Sequence, residues 1–109
     1  DEEFSTKEAS YSRAVNLIAK VPTIVSSWHR IRNGKKIVEP DSELSHAGNF
    51  LQMLNDERPD PELEKIFDIC LILHADHTLN ASTFAARQVA STRAHMYSAA
   101  SAAVGALSG

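Results

Sequence analysis

Apolar residues recur at steps of three and four through Val15, Ile18, Pro22, Val25 and Trp28, with mostly polar positions between them. A 3.6-residue period puts such positions on one face, so the first third of the chain predicts a single long amphipathic helix. Ser5-Thr6-Lys7-Glu8 has the form of a capping box, which starts that helix near Thr6. Gly34, after Arg32-Asn33, supplies the stop. Pro22 removes a backbone donor and crowds the turn before it, which predicts a kink near Lys20-Val21, with two helices meeting there as the alternative.

The segment Lys35 to Asp41 carries β-formers but runs into Pro40, and a lone five-residue strand has nothing to pair with, so a loop is expected. Asp41, Ser42 and Ser45 are candidate caps for a short helix bearing Phe50, Leu51 and Leu54 and ending near Asn55. Asp60-Pro61-Glu62 is a second start signal: an acceptor cap, a proline preset for the first helical position, and an acidic first turn. The apolar residues after it, Leu63, Ile66, Phe67 and Ile69 to Leu73, widen from a stripe to nearly all faces, as in a helix entering a protein interior. Periodicity alone leaves a strand over 66 to 73 open, but the start signal and length favour helix. Asn80 or Ser82 caps a fourth helix with Phe84, Val89 and Ala90 apolar and Arg87 and Arg93 polar. From Ser98 to Gly109 the residues are small and alanine-rich, which suits a helix that another helix approaches closely; a linker or disordered tail is the alternative. The pattern is therefore all-α, about five helices in one domain, without internal repeat.

Composition narrows the picture. The 109 residues, 43% hydrophobic, are enough for one modest core. Eleven Lys and Arg against fourteen Asp and Glu leave a net charge of −3, which gives no basic field for nucleic acid or anionic lipid. The one cysteine, Cys70, lies inside the apolar run and is expected to be a buried thiol in a reducing compartment, so a cytoplasmic location follows. No leader and no membrane-spanning run of about 20 apolar residues is expected.

Candidate chemistry concentrates in His74-Ala75-Asp76-His77-Thr78-Leu79-Asn80-Ala81-Ser82-Thr83. His74 and His77 could share a helix face and, with Asp76 or His95, hold a metal, yet the spacing is three where helix-borne zinc pairs need four. On the plainest reading His74 is a core histidine bonded to backbone and His77 ends a helix. A functional reading makes His77 a donor to a carboxylate or carbonyl of a small anion. The free N–H groups of the helix starting at Asn80 to Thr83 would complete the wall, and Arg87, Arg93 and His95 would extend the positive face.

These residues resemble the citrate synthase family, in which 2-methylcitrate synthase is included. Leu73-His74-Ala75-Asp76-His77-x-x-Asn80-Ala81-Ser82-Thr83 carries the resemblance. Ala19-Lys20-Val21-Pro22-Thr23-Ile24, Leu44-Ser45-His46-Ala47-Gly48-Asn49-Phe50 and the small-residue helix ending in Gly109 support it, so it covers the chain from about Val15 onward. It implies an all-α segment from the large domain, with the first long helix in a homodimer interface. It also implies a tricarboxylic acid cycle acyltransferase that needs no cofactor. Acetyl-CoA is enolised, its methyl carbon attacks the ketone of oxaloacetate, and the thioester formed is hydrolysed. The position of His77 matches an oxaloacetate-binding histidine, and those of Asn80 and Ser82 match groups that orient the catalytic histidine.

The family's first catalytic histidine stands in a Pro-Leu-His-Gly-Gly type segment that follows the position matching Gly109. The second histidine, the catalytic aspartate and the arginines that clamp the substrate lie further on. The resemblance therefore implies no catalytic residue and no metal site within these 109 residues, and an inactive isolated segment. The alternative from a different class is a self-associating helical module without catalysis, and a metal-binding module is the third.

Overall fold

The computed structural model describes residues 6–108 and contains, among them, five α-helices and no strand. The helices are α1 (Lys7–Arg32), α2 (His46–Asn55), α3 (Pro61–Leu73), α4 (Ala81–Ser91) and α5 (Met96–Gly105). Local chemistry accounts for their ends. Ser5 of the expected capping box lies outside the described residues, and it is the Thr6 hydroxyl that accepts the Ala9 N–H at 3.2 Å. At the other end of α1, Gly34 takes φ +66° and its N–H returns to the Ile31 carbonyl at 3.0 Å, the left-handed exit that glycine adopts without a steric penalty. Ser45 caps α2 through the Gly48 N–H, and Asp60 caps α3 through the N–H groups of Glu62 and Leu63. Residues 35–41 form a loop, as their pattern predicts. The helix α1 passes through Pro22 without interruption, so the alternative of two helices meeting there does not hold.

Two compact units divide the chain, one from Val15 to Ala75 and one combining the residues up to Ala14 with those from Asp76 onward. In the first, α2 packs on α3. The rings of Phe50 and Phe67 stack with centroids 5.3 Å apart, and the Ser45 hydroxyl donates to the Glu64 carboxylate. Ala47, Leu51 and Met53 are buried beside them. Asn49 uses its whole amide on the preceding loop, donating to the carbonyls of Asp41 and Leu44 and accepting the Asp41 N–H. The α1 residues that are buried are polar: Ser26, which donates to the Thr23 carbonyl, and Arg30. Arg30 donates to the Lys36 carbonyl, to the Leu54 carbonyl at 3.3 Å and to Asp56 at 2.9 Å, tying the end of α1 to the end of α2.

The apolar stripe of α1 is differently placed from what periodicity suggests. Ile18 is 63% exposed and Trp28 61% exposed, and Ile18, Val21, Pro22 and Val25 line an open apolar groove with Phe50, Phe67 and Leu71. The expectation that α3 is enclosed is also corrected, since none of its residues is buried and Cys70, expected as a buried thiol, is exposed. The groups that would cover these faces are not supplied by the described residues. In the second unit α4 packs against α5, and Ala99 of α5 is buried. No helix among the described residues is long and apolar enough to cross a membrane.

Candidate functional site

The stretch singled out by its chemistry divides between the units. His74 belongs to the first, at the C-terminal cap of α3. Its backbone N–H and its Nδ1 both reach the Cys70 carbonyl, at 3.1 and 2.7 Å, so the ring donates from Nδ1. The backbone-bonded role expected of His74 is present, but the ring is exposed instead of sitting in a core. It is a helix end-cap, which explains its place without a ligand.

Asp76 to Thr83 form a continuous piece of the second unit. Asp76 Oδ1 accepts the Thr78 N–H at 2.8 Å. His77 follows Asp76 directly, in the connection between α3 and α4 and not on a helix, and its side chain is exposed. Asn80 is the N-cap of α4: its Oδ1 accepts the Thr83 N–H at 2.8 Å and the Ser82 hydroxyl at 2.9 Å. The oxygen of Asn80 is therefore engaged by the helix start, which leaves its NH2 group as the part able to address a neighbour. His77 thus precedes by three positions a helix terminus whose remaining N–H groups carry partial positive charge.

The extended positive face does not form around this piece. Arg87 is exposed on α4, while Arg93 and His95 lie in the α4–α5 connection and line a hollow with Ser10, Arg13 and Met96 to which His77, Asn80 and Ser82 do not contribute. His95 caps α5, its Nδ1 accepting the Tyr97 N–H, and its ring stacks on Tyr97 at 4.9 Å. Among the described residues no group of three or more His, Cys, Asp and Glu is placed to hold a metal ion. Two features escaped the sequence reading. The Asp76–Thr78 bond had a local signal, an aspartate two residues before a free N–H, whereas the Arg30 clamp joins residues up to 26 apart and left none.

The fold of these helices is matched among solved proteins by a synthase. The crystal structure of citrate synthase from Pyrobaculum aerophilum superposes with a TM-score of 0.92 at 48% identity, covering 94% of this chain and 25% of that one. A sequence model described as "Citrate synthase, C-terminal domain" matches residues 1–109. Citrate synthase of Synechocystis sp. is 49% identical over 104 residues, covering 94% of this chain and 26% of that protein. 2-Methylcitrate synthase of Mycobacterium tuberculosis is 44% identical over 101 residues, covering 93% and 26%. The chain belongs to the citrate synthase family. It spans about a quarter of the length of the curated relatives it matches.

Proposed function

We propose that this chain is part of the large helical domain of an enzyme that condenses acetyl-CoA with oxaloacetate to give citrate and CoA. The observation that carries this is the match, at 48% identity and a TM-score of 0.92, across nearly the whole chain to a citrate synthase. In such a reaction a positioned base removes a proton beside the thioester carbonyl while donors stabilise the enolate oxygen and polarise the ketone. His77 takes the donor role toward oxaloacetate, its imidazole N–H reaching a carboxylate or carbonyl oxygen. Asn80 and Ser82 orient the family's catalytic histidine, which is not among these residues. The catalytic groups are supplied from outside these 109 residues, so the segment alone is inactive. No cofactor takes part, since enolisation and hydrolysis need only acid–base groups. The enzyme is a cytoplasmic homodimer of the tricarboxylic acid cycle, with α1 at the subunit interface and neither nucleic acid nor membrane as a partner.

The test is a chimera in which residues 1–109 replace the matching stretch of the Synechocystis citrate synthase. The chimera is expected to release CoA. His77→Ala is expected to raise KM for oxaloacetate about tenfold or more, the value of a lost charge-assisted hydrogen bond, without changing KM for acetyl-CoA. An unchanged oxaloacetate KM would remove His77 from the site.

The exposed apolar faces of α1 and α3 also favour the second reading, a self-associating helical module, which is separated from the first by the behaviour of the isolated chain.

A further inference from the structure

Asp76, His77, Thr78 and Leu79 are all exposed, so apolar packing does not hold the backbone around His77. Local polar geometry does. The hydrogen bond from the Thr78 N–H to Asp76 Oδ1, at 2.8 Å, closes an Asx turn with His77 as its middle residue. Thr78 then takes φ +55°, in the left-handed region that a β-branched residue occupies only when its surroundings hold it there. Two residues on, Asn80 is anchored by its cap to the Thr83 N–H. His77 is therefore enclosed in the turn, with the peptide bond that follows it tied to Asp76, while its ring stays exposed. The direction of its Cα–Cβ bond is set before any ligand arrives.

We propose that Asp76 is a positioning residue for His77: its carboxylate oxygen builds the turn that aims the imidazole at oxaloacetate. The proposal rests on the reading that His77 contacts that substrate. The part played by Asp76 is one of geometry, because a single side-chain oxygen at that distance from the backbone is what the turn uses. An asparagine offers the same oxygen without charge, whereas a glutamate keeps the charge but lengthens the ring closed by the hydrogen bond.

In the chimera, Asp76→Ala and Asp76→Glu are expected to raise KM for oxaloacetate about tenfold with KM for acetyl-CoA unchanged, and Asp76→Asn to stay within about twofold of the parent. Activity kept by Asp76→Glu and lost by Asp76→Asn would assign the effect to charge and overturn the proposal. His77→Ala in the same background separates the two readings. If it leaves the oxaloacetate KM unchanged, the role of His77 fails and that of Asp76 with it; if it raises that KM and Asp76→Ala does not, positioning alone fails. Amide hydrogen exchange on the chimera needs no turnover. Exchange at Thr78 is expected to be about tenfold faster in Asp76→Ala than in the parent or in Asp76→Asn, and equal rates in all three would overturn the turn itself.

Discussion

Arg30 shows how much one side chain decides. It is 4% exposed, on a helix whose large apolar residues are mostly open, and it serves three acceptors. Its partner Asp56 is 61% exposed, so the ion pair itself is worth little and the two carbonyls matter more. Replacing Arg30 by Met keeps the stem but strands the carbonyls of Lys36 and Leu54, and we expect a loss of about 2–3 kcal/mol in denaturant unfolding of the chimera. Asp56→Asn is expected to cost under about 1 kcal/mol, because asparagine tolerates the φ of +66° found there and only a screened charge is lost. Equal costs for the two variants would show that the pair, not the carbonyls, carries the energy. The histidines teach a related lesson: His74 and His77 are three apart in sequence, and hydrogen bonding makes one a cap and leaves the other open.

Among the elements, α2 and α3 are joined at a point that no hydrophobic pattern marks. A Cβ placed on Gly48 would lie 2.8 Å from the Glu64 carboxyl carbon, and that carboxylate is held by Ser45. Two effects oppose one another in Gly48→Ala. Helix propensity favours alanine by about 1 kcal/mol, while moving Glu64 aside breaks a charge-assisted hydrogen bond of similar worth. Because Glu64 is a flexible side chain and can swing away, we expect Gly48→Ala to melt close to the parent. In a Glu64→Ala background, where nothing has to move, the same substitution is expected to stabilise by about 1 kcal/mol. Destabilisation in both backgrounds would mean that backbone, not the carboxylate, sets the spacing of the two helices.

At the scale of the molecule, the buried apolar set among the described residues, Ala47, Leu51, Met53 and Ala99, is small against the exposed Trp28, Ile72, Leu73, Val104 and Leu107. So few buried side chains cannot offset the conformational entropy of a hundred-residue chain by a wide margin. The 109-residue chain on its own is therefore expected to scatter light as a mixture of associated species, to melt broadly and to release no CoA. A sharp, concentration-dependent melt with a single oligomer mass would instead favour the self-associating module.

Helix positions and types were legible in the sequence because they depend on near neighbours: Asp60-Pro61, Asn80 and Gly34 act within four residues of themselves, as the caps and turns confirm. The motif around His77 was legible for the same reason, being contiguous. What faces what was not. Periodicity reports that Val15, Ile18, Val25 and Trp28 share a side of α1 and cannot say whether anything lies against it; the structure leaves that side open and buries Ser26 and Arg30 instead. Burial is a property of distant chain segments meeting, and so are the Arg30 clamp and the Gly48–Glu64 approach, which only the tertiary structure could decide.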